Sequence, residues 1–136
     1  MTVSVVDASV AVKWFLAEPG SQQARNLAAA ETVLIAPSII RLEIHHALML
    51  ATRKKRITRA DAEQADTIAM EFIETMFPVD GLMNEARDLS WRLSHPVYDC
   101  LYICLALREK AAFWTADDRQ FEAARKARLS PKRSEE

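Results

Sequence analysis

Short apolar runs alternate along the chain with longer stretches in which apolar residues recur at helical spacing. Three short runs favour strands buried on both faces of a parallel sheet: residues 2–6, 32–36 and 111–115. Helical spacing predicts seven helices: residues 8–16, 21–30, 38–53, 59–76, 83–93, 98–110 and 118–126. Strands and helices that alternate in this order form right-handed βαβ units. The sequence therefore predicts an α/β fold with helices on both faces of a central parallel sheet.

Capping and chain-breaking residues mark the ends of these elements. Ser9, Ser21, Ser38 and Thr58 lie at the starts of helical stretches and are predicted N-caps. Residues 77–80 are predicted to be a connection or a short strand. The polar residues from Ser130 onwards show no clear final strand, and no stretch rich in Gly, Pro or Ser divides the rest. The sequence therefore predicts one domain over residues 1–129 and a polar tail over residues 130–136.

The helix predicted from Tyr98 to Lys110 is the most apolar part of the chain. It carries no charge from Cys100 to Leu107, so nearly all of its faces must be covered. Its length is less than the roughly 20 apolar residues that span a bilayer. Asp99 lies in its first turn, where the helix dipole favours a carboxylate by about 0.3–1 kcal/mol. Burying an unpaired carboxylate would cost several kcal/mol, so Asp99 is either a helix-terminal acid or part of a site.

The composition limits the classes of function. With 136 residues, 50% of them hydrophobic, and a formal net charge of −1, the chain has the size of one globular domain. This charge indicates that binding to nucleic acid would depend on a local patch. Two glycines are too few for a Gly-rich phosphate loop. Cys100 and Cys104 are predicted to be buried, reduced thiols, and no signal-peptide pattern opens the chain, so we expect a cytoplasmic protein without a membrane segment.

Four acidic residues occupy related places in this scheme. Asp7 and Asp117 each follow a predicted strand, Glu43 faces inward on the helix after the second strand, and Asp99 begins the apolar helix. The carboxyl ends of parallel strands share one edge of a sheet, where ligands bind. Carboxylates gathered there would repel one another unless protonated or neutralised by a hard cation such as Mg²⁺ or Mn²⁺. The alternative is a set of separate caps and turn acids.

The segments around these acids resemble the motifs of a known family. Val-Val-Asp7-Ala-Ser, Arg-Leu-Glu43-Ile, Val-Tyr-Asp99-Cys and Thr-Ala-Asp117-Asp are similar to the four acidic motifs of PIN-domain ribonucleases, in particular the VapC toxins. The resemblance implies a three-layer α/β/α PIN-like fold with a short central parallel sheet. It also implies an endoribonuclease that depends on Mg²⁺ or Mn²⁺ and hydrolyses the phosphodiester bonds of RNA.

The resemblance further implies roles for individual residues. The four acids would be catalytic, and three of them would also bind metal: Asp7, Asp99 and Asp117. Ser9 and Thr115 fall where the family often has a hydroxyl group that supports the acids. Asp118 adjoins Asp117 and leaves the fourth acid uncertain by one position, although Asp117 matches the Thr-x-Asp pattern. Lys13, shortly after the first acid, is a candidate for RNA binding by position.

The family also suggests partners. RNA would be the substrate, and a small VapB-like antitoxin would insert a peptide into the acidic groove and bind operator DNA. The toxin itself would form a homodimer and would contact DNA only through the antitoxin. Two other functions stay open from the sequence: a PIN nuclease of RNA processing without an antitoxin, and a catalytically silent metal- or phospho-binding module.

Overall fold

The computed structural model describes residues 2–133 of the chain. Strands and helices alternate along it. The strands are β1 (Thr2–Val6), β2 (Thr32–Pro37), β3 (Thr75–Phe77), β4 (Ala112–Thr115) and β5 (Lys132–Arg133). The helices are α1 (Ala8–Ala11), α2 (Ser21–Ala29), α3 (Ile40–Arg53), α4 (Arg59–Phe72), α5 (Met83–Leu93), α6 (Val97–Glu109) and α7 (Asp118–Lys126), with 3₁₀ turns at Val12–Trp14 and Val79–Gly81.

The strands form one parallel sheet in the order β3-β2-β1-β4-β5. In the middle strand, Val5 pairs with Ile35 of β2 on one side and with Phe113 of β4 on the other. Ser4, Val5 and Val6 are consecutive and all buried, so both faces of β1 are covered, because successive side chains point to opposite faces. The predicted α/β fold with a central parallel sheet is confirmed.

Helix α6 is the most enclosed helix, as its lack of charge predicts. Every residue from Cys100 to Ala106 is buried, and the helix packs against β1, β2, β4 and α5. Cys100 and Cys104 are free thiols, as predicted, and burial raises their pKa values to about 12 and about 11. Both thiols are therefore neutral and unreactive at physiological pH. No helix within residues 2–133 combines the length and apolar character needed to cross a bilayer.

Strand β5 lies in the segment that the sequence predicts to be a tail. Lys132 and Arg133 pair in parallel with Trp114 and Thr115, which extends the sheet past the predicted boundary at residue 129. The Lys132 ammonium lies over the Trp114 ring and the Arg133 guanidinium over the Phe121 ring, 4.0 Å from its centroid. These cation–π contacts hold the short strand against β4 and α7. The rest of the predicted tail, residues 134–136, lies outside the described residues.

Several predicted helix boundaries are wrong. Helix α4 ends at Phe72 instead of residue 76, because Thr75–Phe77 pairs with β2. Ser38 does not cap α3: the cap position is Ile39, and the Ser38 N–H donates to the carbonyl of Phe77 instead. Thr58 caps α4 as predicted, accepting from the Asp61 N–H at 3.1 Å.

The first two helices also begin differently from the prediction. The N-cap of α1 is Asp7 rather than Ser9. Helix α2 has Gly20, with a positive φ of 85°, at its cap position. Ser21 is the first residue of α2, and its hydroxyl donates to the carbonyl of Leu16 at 2.6 Å. Both predicted caps are wrong for the same reason: the hydroxyl groups of Ser9 and Ser21 form hydrogen bonds with other parts of the chain instead of capping their helices.

Candidate active site

Asp7 lies where β1 ends, beside the end of β4. Its backbone N–H donates to the carbonyl of Trp114 at 3.3 Å, which fixes it between the two strands. The carboxylate Oδ1 accepts from Ser9 Oγ at 2.5 Å and from the Val10 N–H at 3.3 Å, and Oδ2 accepts from Thr115 Oγ1 at 2.5 Å. Only 6% of Asp7 is exposed, so these hydrogen bonds replace water around a buried carboxyl group.

The hydroxyl groups of Ser9 and Thr115 connect Asp7 to the turn that begins α7. Ser9 Oγ accepts from the Ala116 N–H at 2.9 Å, and Thr115 Oγ1 accepts from the Asp117 N–H at 3.1 Å. Each hydroxyl therefore donates to the Asp7 carboxylate and accepts from backbone that follows β4. Both side chains therefore contact the Asp7 carboxylate, and their predicted supporting role in a site stays a prediction.

The pKa of Asp7 is raised from 3.8 to about 7. Burial is the largest cause, because it disfavours the charged carboxylate. Hydrogen bonds from Ser9, Thr115 and Val10 lower the pKa, and the negative charge of Asp99 raises it further. Asp7 is therefore partly protonated near neutral pH, and a nearby cation would favour its ionised form.

Glu43 lies in the first turn of α3 and is half-buried. Its Oε1 accepts a hydrogen bond of 2.5 Å from the hydroxyl of Tyr102, a side chain on α6 that is only 1% exposed. Burial raises the pKa of Glu43, the Tyr102 hydrogen bond lowers it, and the charge of Asp99 raises it. The phenol thus fixes one oxygen of Glu43 and stabilises its ionised form.

Asp99 lies in the first turn of α6 with 34% of its side chain exposed. Burial raises its pKa, His95 lowers it, Asp117 raises it and Arg119 lowers it. The Nε2 atom of His95 is 3.7 Å from Asp99 Oδ2. Asp99 is therefore a carboxylate set between one acid and two basic side chains.

The structure distinguishes Asp117 from its neighbour Asp118. Asp117 caps α7, its Oδ1 accepting from the Gln120 N–H at 2.8 Å, and its charge acts on Asp99. The Asp118 carboxylate is exposed and bonds to the Arg133 guanidinium instead. Asp117 is therefore the better candidate for the fourth acid.

Electrostatic contacts join all four predicted acids. The charge of Asp99 raises the pKa values of Asp7 and Glu43, and Asp117 raises the pKa of Asp99. The donors are carboxylate oxygens, which hard cations such as Mg²⁺ and Mn²⁺ prefer, and such a cation would relieve this mutual repulsion. The residue types therefore fit a divalent cation. Within residues 2–133, however, no three Asp, Glu, His or Cys side chains are grouped as ligands of one metal ion.

Lys13 has intramolecular partners. Its Nζ donates to Glu18 Oε1 at 3.2 Å and to the carbonyl of Pro19 at 2.7 Å, and only 12% of its side chain is exposed. The other carboxylate oxygen of Glu18 accepts from Arg56 at 3.1 Å. These bonds tie the loop after the 3₁₀ turn to the end of α3. They give Lys13 a structural role, and its role in RNA binding stays a prediction.

Three residues that contact the four acids were not identified as functional from the sequence: Tyr102, His95 and Gln120. Tyr102 lies one turn after Asp99, where the sequence indicates only an apolar helix. Gln120 does carry a signal. It shares one face of α7 with Ala123 and Ala124, and all three are buried, so a polar side chain interrupts an apolar stripe.

Comparison with known proteins decides the family. The profile of the PIN domain matches residues 4–126. The chain belongs to the PIN-domain family. This PIN domain is 34% identical to ribonuclease VapC9 of Mycobacterium tuberculosis over 113 residues, which cover 83% of this chain and 84% of the relative.

Solved structures share the fold of this PIN domain. PAE2754 from Pyrobaculum aerophilum superposes with a TM-score of 0.71 at 15% identity, covering 97% of this chain and 83% of that chain. VapBC2 from Rickettsia felis, crystallised bound to a DNA fragment from its promoter, gives a TM-score of 0.63 at 14% identity, with 97% of each chain covered. At these identities the likeness supports the fold alone.

Proposed function

We propose that this PIN domain is an endoribonuclease that uses a divalent cation, Mg²⁺ or Mn²⁺, and that it is the toxin of a toxin–antitoxin pair. The observation that carries the proposal is the electrostatic effect of the four acids on one another: the charge of Asp99 raises the pKa values of Asp7 and Glu43, and that of Asp117 raises the pKa of Asp99. The similarity to a VapC ribonuclease over more than four fifths of the chain supports the choice of RNA as substrate.

The four acids divide the work in this proposal. Asp7, Asp99 and Asp117 would hold the cation, while Glu43, fixed by Tyr102, would orient the attacking water. A bound divalent cation would polarise the phosphodiester and lower the pKa of water. Ser9 and Thr115 keep both oxygens of Asp7 in place by donating to them. Because these donors favour the ionised carboxylate, they prepare Asp7 to bind a cation at neutral pH.

Removal of metal tests the proposal. We expect the purified chain to cleave single-stranded RNA with Mg²⁺ or Mn²⁺ and to lose this activity in excess EDTA, because the proposed ligands of the metal are all carboxylates. Adding Mn²⁺ back should restore cleavage. Gel electrophoresis of the RNA products, which locates each cut to the nucleotide, measures the result. Cleavage that persists in EDTA at the full rate would refute the role of the metal, and an inactive chain at every metal concentration would refute the nuclease.

The variant Tyr102→Phe tests the orienting role of Glu43. Loss of the phenol removes a hydrogen bond that lowers the pKa of Glu43, so the pKa should rise. We therefore expect the acidic limb of the pH–rate profile to move to higher pH in this variant, because Glu43 would then ionise at higher pH. Tyr98→Phe makes the same change at an exposed position of α6 and should leave the profile in place.

The proposed partner is a small VapB-like antitoxin. The toxin–antitoxin complex VapBC2, which shares this fold, was crystallised with promoter DNA. We propose that such an antitoxin places a basic side chain near the four acids, contacts operator DNA on behalf of the complex, and binds a homodimer of this chain. A short adjacent reading frame for a DNA-binding protein would favour the toxin over a PIN nuclease of RNA processing.

A further inference from the structure

Gln120 joins the two acids that begin α6 and α7. Only 2% of the residue is exposed. Its side-chain Nε2 donates to the backbone carbonyl of Asp99 at 2.9 Å, and its backbone N–H donates to Asp117 Oδ1 at 2.8 Å. The amide Oε1 lies 2.6 Å from Nε2 of His95. One buried residue therefore contacts both Asp99 and Asp117, which belong to different helices.

These contacts determine which ring nitrogen of His95 carries a hydrogen atom. A backbone carbonyl can only accept a hydrogen bond, so the amide atom that faces Asp99 is the nitrogen of Gln120. The atom that faces His95 is then the amide oxygen, which also can only accept. His95 Nε2 must therefore carry the proton that it shares with Gln120. With 8% of its side chain exposed, His95 has little freedom to turn away.

We propose that Gln120, oriented by His95, is a positioning residue whose side chain holds the backbone of Asp99 and thereby sets the placement of this acid and the affinity of the acidic site for a divalent cation. This inference rests on the proposed function. When a residue that hydrogen-bonds to a metal ligand is lost, the affinity of the site for the metal commonly falls by about 10–100-fold. The Gln120 side chain holds the backbone of Asp99 in the first turn of α6, and its loss removes this contact, whereas the backbone N–H that donates to Asp117 remains in any variant at position 120.

The place of Gln120 in α7 argues against a role in packing alone. Its neighbours on the buried face are alanines, and burying an amide there has a desolvation cost that an apolar side chain would avoid. Both polar atoms of the amide are paired, which is the condition under which a buried polar group fixes one geometry. An apolar side chain of similar size would fill the space without holding the backbone of Asp99.

The variant Gln120→Leu tests the inference, with Ala124→Gly as the matched control. Ala124 is fully buried on the same helix, and glycine there weakens α7 without touching the amide. We expect Gln120→Leu to raise the Kd for Mn²⁺ by about 10–100-fold in calorimetric titration without RNA. Ala124→Gly should stay within about twofold at a comparable loss of Tm. Wild-type affinity in Gln120→Leu, or equal weakening in both variants, would overturn the proposal.

Two further measurements test the link through His95. His95→Phe should also weaken Mn²⁺ binding, and the double variant with Gln120→Leu should bind no more weakly than Gln120→Leu alone. Additive losses would show that His95 acts independently. Nitrogen NMR should show the Nε2–H tautomer of His95 in the wild type. The Nδ1–H tautomer would refute the proposed contact.

The same experiments separate this inference from the proposed nuclease. If the wild-type chain binds Mn²⁺ more tightly than Gln120→Leu does but never cleaves RNA, the nuclease is refuted and the positioning role stays supported. If the wild-type chain cleaves RNA and Gln120→Leu binds Mn²⁺ with wild-type affinity, the nuclease is supported and the positioning role is refuted. A wild-type chain that binds no Mn²⁺ would refute both.

Discussion

Replacing Asp99 with asparagine is expected to slow RNA cleavage by at least about 100-fold while the chain keeps its fold. Asp99 is the acid whose charge reaches all the others: it acts on Asp7, Glu43 and the Tyr102 phenol, and Asp117 acts on it. Asparagine has nearly the same shape but no negative charge. The variant therefore removes one of the proposed ligands and leaves the packing of α6 unchanged. Cleavage assays at saturating Mg²⁺ measure the loss.

The control for this experiment is Asp88→Asn, which removes the same charge from an exposed position on α5. It should cleave RNA at the wild-type rate. Circular dichroism should show that both variants are folded. We also expect expression of the wild-type chain to arrest growth and the Asp99→Asn change to abolish this arrest. An Asp99→Asn protein that keeps more than half of the activity would contradict the proposed site.

The second large effect concerns stability: Asp7→Asn should make the metal-free protein more stable at pH 8. Burial raises the Asp7 pKa from 3.8 in the unfolded chain to about 7 in the folded one. Between these values the unfolded chain releases a proton that the folded chain keeps, so stability falls as the pH rises. The loss is absent below about pH 4 and complete above about pH 7. A shift of this size corresponds to roughly 4 kcal/mol.

Asparagine cannot ionise, so this loss disappears in the variant. Its amide can donate to Thr115 Oγ1, while its carbonyl keeps the acceptor role toward Ser9 and Val10. Urea denaturation in EDTA at pH 4.5, 6 and 8 measures the effect. The gain in unfolding free energy over wild type should grow with pH and level off above pH 7. A gain that is equal at all three values would show that Asp7 is already ionised when folded.

The main elements of the fold could be predicted because their signals are local. The apolar runs of β1, β2 and β4 and the uncharged stretch of α6 are visible within a few residues of sequence, and the structure confirms them. Strands β3 and β5 could not be found in this way. Thr75–Phe77 continues a helical pattern, and only its pairing with β2 ends that helix. Lys132–Arg133 is charged, and contacts with β4 and α7 define it as a strand.

The acids of the site could be proposed from sequence because each lies next to a recognisable element end. Their catalytic roles stay predictions, although the structure shows them coupled. The side chains that hold them are less visible. Tyr102 meets Glu43 across 59 residues, and Gln120 meets His95 across 25. Such contacts depend on how helices pack, and no short spacing encodes them. The one local signal for these side chains was Gln120, a polar residue on the alanine-rich buried face of α7.

The hydrogen bond from Thr115 to Asp7 spans 108 residues, and it joins the first strand of the chain to the fourth. Strand β4 can take its place beside β1 only after α6 and β4 itself have been synthesised. Pairing across so long a separation is slow, because the loop must close before the contact stabilises it. A chain that stops before β4 contains Asp7, Glu43 and Asp99 but lacks Thr115 and Asp117. The order of synthesis therefore leaves the proposed nuclease site incomplete until β4 and the turn after it have been made.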